Sequence, residues 1–226
     1  MIRVALVPAK PVHRAKERLR LVLGARARAR LSGAMLRDVL GCLDHSALFV
    51  SVSVVTRDRR LQRRVRRWGF HTLAPPPRVR GLNAELRWAA AQPLVAQADR
   101  LLVIPGDVPG VSVTDLFRLV LPPLARGVRL TLSTDGGTNA LVLAPPAVIP
   151  FRFGPNSAAR HQAAAGARAA SVDVLALPSL RADIDLPSDL LAAAGQAGPR
   201  TRRALAAING GHLQYRKRPK RRQSKR

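Results

Sequence analysis

Short apolar segments alternate with segments of helical spacing along about 190 of the 226 residues of this chain. The apolar segments predict strands at residues 2–7, 49–55, 70–73, 101–104, 129–133, 140–143 and 172–177. The helical segments lie at residues 14–23, 28–43, 57–68, 82–98, 114–124, 157–170 and 187–194. This alternation predicts an α/β fold in which a mostly parallel sheet carries helices on both faces. Such folds bind ligands at the carboxyl ends of their strands.

The composition supports one packed domain with a polar extension. Hydrophobic residues make up 47% of the chain, which is enough for a core and excludes a chain that is disordered throughout. We see no internal repeat, and we expect the domain at residues 1–195 and a basic, disordered extension at 196–226. The single cysteine, Cys42, excludes an intrachain disulfide and a zinc site built from cysteines, and we expect it in the core.

No segment of the sequence has the length of a membrane span or a signal peptide. The longest apolar stretch, residues 47–55, is interrupted by two serines and is far shorter than a spanning helix. Residues 2–8 are too few for the apolar part of a signal peptide. We therefore expect a cytoplasmic protein with no membrane partner.

The chain is strongly basic, with 39 Lys and Arg against 13 Asp and Glu and a formal charge of +26. Eight of the eleven residues in 216–226 are basic. One interpretation is non-specific contact of this tail with nucleic acid. The other is a compositional bias toward Arg, because all but five of the basic residues are Arg and aromatic residues make up only 4%.

The loop after the first strand carries four cationic side chains, and it leads into a helix. These residues are Lys10, Arg14, Lys16 and Arg18. Cations beside a helix N-terminus form a suitable site for a polyphosphate. The GxxxxGK[ST] pattern of a Walker loop is absent, and an ordinary basic loop is the alternative.

Carboxylates occur at two points where they could serve as metal ligands. Asp107 follows the buried strand at 101–104, and Asp183, Asp185 and Asp189 lie within seven positions of each other. Magnesium takes one or two carboxylates and leaves its other positions to phosphates and water. The alternative is that these residues cap turns and helices, as Asp185 would do before a helix with Pro187 in its first turn.

Two loops offer backbone N–H groups and hydroxyls. They are residues 134–140 (TDGGTNA) and 153–157 (FGPNS), and Ser157 would begin a helix, where an anion is favoured. His161 lies one turn further on the same helical face and could line a site there. The alternative is two tight turns and a helix cap. The sequence has no nucleophile elbow and no Ser/His/Asp arrangement.

Taken in order, these segments resemble one family. The segments are VPAKPVHRAKERL at 7–19, GLN at 81–83, the strand end at Asp107, GTNAL at 137–141, FGPNSAARH at 153–161 and DIDLPSDL at 183–190. Together they are similar to the CofC-type guanylyltransferases of coenzyme F420 biosynthesis. The resemblance spans residues 2–191.

The resemblance implies a single-domain, three-layer nucleotide-transferase (Rossmann-like) fold with a mostly parallel mixed sheet. It implies transfer of GMP from GTP onto 2-phospholactate, phosphoenolpyruvate or 3-phosphoglycerate, release of pyrophosphate, and passage of the product to a downstream transferase of the pathway. By similarity, Asp107 and an Asp of the DID element hold Mg²⁺, with Asp185 favoured over Asp183, and the catalytic residues are Asp107, Asp185 and Lys16.

The same resemblance implies a division of the remaining site residues. The GTP phosphates would be held by Lys10, Lys16 and Arg18, and the guanine would lie near Asn83. The acceptor would be held by Thr138, Gly154 and Ser157.

Two departures from the family pattern lie beside the predicted acceptor site. Asn156 stands in place of Gly, and Ala158 stands in place of Phe. We expect Ala158 to open space and Asn156 to add a hydrogen bond, so that the site favours a bulkier or more polar acid such as 3-phosphoglycerate. A third departure, Leu186 in the DID element, removes a hydroxyl beside the predicted metal site.

Two other functions are compatible with the sequence. One is a basic nucleic-acid-binding protein on a degenerate transferase scaffold, which the charge and the tail favour. The other is a cytidylyltransferase or a molybdenum-cofactor-type transferase, against which the VPxKP opening argues because those enzymes open with a glycine-rich loop.

Overall fold

The computed structural model describes residues 1–11, 16–181 and 195–210. These ranges contain seven strands and seven α-helices. The strands are β1 Arg3–Pro8, β2 Ser51–Val55, β3 His71–Leu73, β4 Arg100–Val103, β5 Gly127–Leu132, β6 Thr138–Ala144 and β7 Ser171–Leu175. The helices are α1 Ala25–His45, α2 Arg59–Arg67, α3 Leu82–Ala90, α4 Pro93–Ala96, α5 Val113–Val120, α6 Ser157–Gly166 and α7 Pro199–Gly210. The helix predicted at 187–194 lies outside the described residues.

The strands form one sheet in the order β3-β2-β1-β4-β6-β5-β7. Every neighbouring pair is parallel except the two pairs that involve β6. Strands β5 and β6 form an antiparallel hairpin in which Leu132 pairs with Thr138. This arrangement confirms the predicted mixed, mostly parallel sheet.

Two hydrophobic cores lie on opposite faces of the sheet, because side chains alternate along a strand. In β1, Ala5 and Val7 belong to the core covered by α1, α2 and α5, whereas Val4 and Leu6 belong to the core covered by α3, α4 and α6. Cys42 packs against the first core, and burial raises the pKa of its thiol to about 11. The predicted three-layer α/β fold is therefore confirmed.

The boundaries of several elements differ from those predicted. The helix predicted at 82–98 is divided into α3 and α4, because the residue before Pro93, Gln92, has an extended backbone. Pro93 itself lies in the first turn of α4, where a missing N–H costs no helical hydrogen bond. Between Lys16 and residue 23, a 3-10 turn at Glu17–Leu21 replaces most of the helix predicted at 14–23. Strand β6 begins at Thr138, two residues before the predicted start, because its first residues are polar but paired with β5.

Two buried arginines stabilise the C-terminal end of α5. Arg100 donates from Nη1 to the carbonyls of Val120 and Pro122, the latter at 2.9 Å. Arg129 donates from Nη1 to Leu119 O at 2.9 Å and from Nε to an oxygen of Asp173 at 2.6 Å. Burial lowers the pKa of Arg100, and the neighbouring charge of Arg129 adds to that shift. Part of the high Arg content therefore has a structural role.

Helix α7 extends the packed domain beyond the boundary predicted at residue 195. Leu205 is buried in a third cluster with Leu31 and Met35 of α1. Asp38, also on α1, accepts hydrogen bonds from the N–H groups of Arg200 at 3.2 Å and Thr201 at 2.7 Å. The prediction missed this helix because it contains few apolar residues among Arg and Ala. Residues 211–226 lie outside the described residues.

The helices of the described ranges include none with the length and apolar character that a membrane crossing requires.

The docking of α7 can be tested through Asp38. Replacing Asp38 by Ala removes both hydrogen bonds to the first turn of α7 and should lower the free energy of unfolding by about 1–2 kcal/mol. Asp44→Ala, at an exposed position of the same helix, is the matched control and should change the free energy much less. Urea unfolding measures both values. Equal effects of the two variants would contradict this docking.

Candidate active site

Three of the loops that the sequence singled out begin at the same edge of the sheet. Pro8, at the end of β1, pairs with Val55 at the end of β2, and Gly106 N, after β4, donates to Pro8 O at 3.4 Å. Because β6 runs in the opposite direction, its first residue, Thr138, lies at this edge beside the end of β5. The edge therefore combines the loops that follow β1, β4 and β5.

Lys16 and Asp107 meet at this edge although 91 positions separate them. Lys16 Nζ donates to Asp107 Oδ2 at 2.8 Å. The Lys16 side chain is 3% exposed and that of Asp107 is 41% exposed, so the ion pair joins a buried cation to a half-exposed carboxylate. Lys16 has a φ of 54°, a left-handed conformation that is uncommon for Lys. The predicted phosphate loop and the predicted metal ligand thus contact each other directly.

The other predicted charged residues are less fully defined. Lys10 is exposed two residues after β1, and the side chain of Arg18 lies outside the described residues. Asp183, Asp185 and Asp189 also lie outside them. In the ranges that the structure covers, no group of three or more His, Cys, Asp or Glu side chains could hold a metal ion.

Thr138, Ser157 and His161 form a buried hydrogen-bonded chain. The Thr138 and Ser157 hydroxyl oxygens are 3.0 Å apart, and Thr138 Oγ1 is 3.1 Å from His161 Nδ1. His161 Nε2 accepts a hydrogen bond from the backbone N–H of Arg152 at 3.0 Å. The structure thus brings two predicted acceptor residues together with the histidine that the sequence placed near them.

The loop before α6 carries these groups in an unusual backbone conformation. Gly154 has a φ of 124° and Asn156 a φ of 53°, both in the region that favours Gly. Ser157 N donates to Gly154 O at 3.1 Å, and Ala158 N donates to Gly136 O at 3.3 Å. The second bond joins the start of α6 to the β5–β6 hairpin, and the first places Gly154 beside Ser157 of the hydroxyl pair.

Ala158 does not open the space that the sequence led us to expect. Its side chain is 2% exposed and belongs to the second core, so this prediction is wrong. Phe153 lies in the same core, and its ring packs edge-on against His161 with 5.0 Å between centroids. Asn156, in contrast, is exposed at the rim of the loop.

Asn83 anchors the same loop from α3. Its Oδ1 accepts from Phe153 N at 2.8 Å, and its Nδ2 donates to Phe153 O at 3.0 Å. The sequence suggested a place near the guanine, and that role remains a prediction. The anchoring role was missed because the two residues are 70 positions apart.

Arginines near the edge were not singled out from the sequence. Arg57, two residues after β2, pairs with Glu85 of α3 at 3.1 Å. Arg152 and Arg160 are exposed, and a Cβ placed on Gly154 would lie 3.1 Å from Arg160 Nη2. In a chain with 34 arginines, no sequence signal separates these three from the others.

His161 is neutral at physiological pH. Burial lowers its pKa to about 4, and the positive charges of Arg160 and Arg152 add to that shift. Since a backbone N–H donates to Nε2, the proton of the neutral ring is on Nδ1. Of the causes of this low pKa, the positive charges of Arg160 and Arg152 also favour an anionic ligand.

Arg181, the last described residue before 195, is held at this edge. Its carbonyl oxygen accepts from Thr134 N at 3.3 Å. The side chain of Asn139 donates to Leu180 O at 2.8 Å. The chain therefore passes the β5–β6 hairpin immediately before the segment that contains the DID element.

Comparison with known proteins identifies relatives along almost the whole chain. A family model described as "guanylyl transferase CofC like" matches residues 3–201. The phosphoenolpyruvate guanylyltransferase of Roseiflexus sp. (strain RS-1) is 37% identical over 209 residues, which cover 92% of each chain. The 3-phospho-D-glycerate guanylyltransferase of Phenylobacterium zucineum is 37% identical over 202 residues, 86% of this chain and 91% of its own.

A solved structure shows the same fold at low identity. It is a protein from Desulfovibrio desulfuricans G20 described as a nucleotide-diphospho-sugar transferase, with a TM-score of 0.72 and 16% identity. The match covers 95% of this chain and 99% of that one. At this identity the similarity concerns the fold alone.

The low pKa of His161 predicts a specific dependence of stability on pH. Above the unfolded pKa of 6.5 the residue is neutral in both states and contributes nothing. As the pH falls from 6.5 toward 4, the unfolded chain takes a proton that the folded chain does not, so stability decreases. At about pH 5 this loss is about 2 kcal/mol relative to about pH 7.5.

The variant His161→Asn lacks the titrating His161 ring. The control variant His71→Asn, changed at an exposed position, keeps that ring. Urea unfolding at the two pH values should therefore show a smaller decrease for His161→Asn than for wild type or for His71→Asn. Equal decreases in all three proteins would contradict a buried, neutral His161.

Proposed function

Because the chain belongs to the CofC-like guanylyl transferase family, we propose that it moves GMP from GTP onto a phosphorylated three-carbon acid and releases pyrophosphate. The observation that carries this proposal is the meeting of two chemically distinct groups at one sheet edge. The Lys16–Asp107 ion pair follows β1 and β4, and the Thr138–Ser157 hydroxyl pair begins β6 and α6. The first suits a polyphosphate and the second suits an acceptor anion.

The nucleotide half of the proposal rests on the β1 and β4 loops. Lys16, with Lys10 and Arg18, would neutralise the GTP phosphates and the departing pyrophosphate. Lys16 is held in place because it is buried against Asp107 at 2.8 Å. Asn83 would lie near the guanine, since α3 begins at this edge of the site.

The acceptor half rests on the hairpin and the start of α6. Thr138, Gly154 and Ser157 would contact the acid, and the exposed guanidinium groups of Arg152 and Arg160 provide a positive potential around them. The N-terminus of α6 adds to this potential. These hydrogen-bond donors and cations suit an acid that carries both a carboxylate and a phosphate.

The reaction needs alignment and charge neutralisation more than a protein nucleophile. An anionic phosphate oxygen of the acid attacks the α-phosphorus of GTP, and the bond from that phosphorus to the bridging oxygen of the β-phosphate breaks. The electron pair leaves with pyrophosphate. No proton has to be removed from the attacking oxygen, which explains why the site requires neither a general base nor a triad.

Asp107 is suited to bind magnesium because it is a half-exposed carboxylate beside Lys16, which would hold the GTP phosphates. We propose that Asp107, together with Asp185 or Asp183, holds Mg²⁺. Arg181, at this edge directly before the DID element, supports that choice. When bound, the ion would offset the repulsion between the two phosphate groups.

The relatives of this chain use different acceptor acids according to their names. The two relatives named above are both 37% identical to this chain, and their names specify different acids. Asn156 is exposed at the rim of the acceptor loop and favours 3-phosphoglycerate. The hydroxyl of 3-phosphoglycerate can hydrogen-bond to the Asn156 amide, and phosphoenolpyruvate and 2-phospholactate have no such hydroxyl. The activated acid would pass to a downstream transferase of coenzyme F420 biosynthesis.

Nucleic-acid binding on a degenerate scaffold is not favoured, because the family match runs through nearly all of the packed domain. Deletion of residues 216–226 should leave pyrophosphate release unchanged if the chain is an enzyme of this kind. Non-specific contact of this tail with nucleic acid would then be a separate, salt-dependent property.

Replacing Asp107 tests the nucleotide half. Asp107→Asn removes the charge that pairs with Lys16 and would hold Mg²⁺, so kcat for pyrophosphate release should fall by about a hundredfold or more. Asp99→Asn, at the opposite end of the same strand, is the control and should retain wild-type turnover. Circular dichroism checks that both variants fold. A folded Asp107→Asn protein with wild-type turnover would exclude this assignment.

The acceptor is tested by pyrophosphate release from GTP and Mg²⁺ with each of the three acids. The downstream lactyl-adding transferase is included, because the activated product could decompose. We expect the highest kcat/KM with 3-phosphoglycerate, and we expect Asn156→Gly to narrow its advantage. A clear preference for phosphoenolpyruvate or 2-phospholactate in the wild-type protein would refute this choice of acid.

A further inference from the structure

We propose that His161 is a positioning residue that makes the Thr138–Ser157 hydroxyl pair a hydrogen-bond donor toward the acceptor acid. This inference rests on the proposed function, in which that pair contacts the acid. It adds a residue to the acceptor site that acts through Thr138 and does not itself touch substrate.

The protonation of the His161 ring follows from its backbone partner. Nε2 is 3.0 Å from the backbone nitrogen of Arg152, which can only donate. Nε2 therefore carries a lone pair, and in the neutral ring the hydrogen is on Nδ1. Thr138 Oγ1, at 3.1 Å from Nδ1, accepts that hydrogen.

This polarity determines what the two hydroxyls can offer a ligand. Thr138 and Ser157 together have two hydroxyl hydrogens, and one of them is used in the 3.0 Å bond between the two oxygens. His161 accepts neither, because its Nδ1 is a donor. One hydroxyl hydrogen therefore remains, and within the ranges that the structure covers neither hydroxyl meets another acceptor.

The opposite tautomer would give the opposite result. An Nδ1 lone pair would accept the Thr138 hydrogen, and Ser157 could then donate to Thr138, which would leave only lone pairs for a ligand. Lone pairs repel a carboxylate or a phosphate, whereas a hydroxyl donor stabilises it. The backbone N–H of Arg152 thus sets the sign of the interaction at a hydroxyl pair two hydrogen bonds away.

The surroundings hold the ring in this state. His161 is fully buried, its ring packs edge-on against Phe153, and its helix begins at Ser157. Burial and the charges of Arg160 and Arg152 keep the ring neutral. An imidazolium would have to donate from Nε2 as well, which would conflict with the Arg152 N–H.

The tautomer can be measured directly in the full-length protein. Two-bond ¹H–¹⁵N correlation spectra of protein labelled at histidine should show a protonated Nδ1 and an unprotonated Nε2 for His161 at about pH 7. His161→Asn identifies the resonances by their absence. A ring protonated on Nε2 would overturn the inference, whatever the reaction of the protein is.

Kinetics test the consequence for the acid. His161→Leu removes the donor to Thr138 and should raise the KM for the acid about tenfold, with kcat and the KM for GTP within about twofold of wild type. His161→Asn, whose amide can donate from nearly the same position, should recover most of that loss. His71→Leu, at an exposed position, is the control and should leave all three constants unchanged.

A double variant separates positioning from general packing. If His161 acts through Thr138, adding His161→Leu to Thr138→Val should raise the KM for the acid no further than Thr138→Val alone. Additive increases in KM, or equal increases for the acid and GTP, would overturn the inference and indicate a structural role.

Failure of the proposed function would be recognised separately. It would appear as no pyrophosphate release by the wild-type protein with any of the three acids. The His161 ring resonances would then be followed while each acid is added. If an acid shifts these resonances in the wild-type protein but not in Thr138→Val, the inference stands as a binding property. If no acid shifts them, the inference is overturned.

Discussion

Strand β6 runs against both of its neighbours, and the composition of the whole site depends on that reversal. In a fully parallel sheet, only the residues that follow strands reach the carboxyl edge. Because β6 is antiparallel, its first residue reaches that edge beside the end of β5. Thr138 therefore lies at the same edge as Asp107 and Lys16, so the Thr138–Ser157 hydroxyl pair, proposed to bind the acid, lies at the same edge as the Lys16–Asp107 ion pair, proposed to bind the nucleotide.

In the proposed reaction, the two halves of the site stabilise negative charge by different physical means. At the ends of β1 and β4, a buried cation is fixed by a half-exposed carboxylate, so full charges dominate. At the start of α6, neutral hydroxyls, a neutral imidazole and a helix N-terminus supply oriented dipoles, with exposed arginines at greater distance. Dipoles fixed before the ligand arrives need little reorganisation when charge moves between two phosphates. The net charge alone does not predict this division of the site, because buried arginines such as Arg100 contribute to the charge but bind backbone carbonyls within the fold.

Local patterns in the sequence were sufficient for the layers and for most of the loops at the sheet edge. Apolar runs and turn residues encode strands and their ends directly, which is why the strand end before Asp107 and the helix start at Ser157 were located. Interactions between distant segments were not accessible in this way. Examples are the anchoring of the Phe153 loop by Asn83 and the capping of α7 by Asp38, because each depends on chain segments at least 70 positions apart. The burial of Ala158 has the same cause, since neighbours from other elements complete the core around it.

The proposed function depends on attack of the acid's phosphate oxygen on the α-phosphorus of GTP. It is tested most directly with 3-phosphoglycerate labelled with ¹⁸O in its phosphate group, followed by ³¹P NMR after reaction with GTP. We expect a guanosine product whose diphosphate contains the label, including the bridging oxygen, and pyrophosphate free of label. Release of GMP and pyrophosphate without incorporation of the acid would show that water is the acceptor and would exclude transfer to the acid.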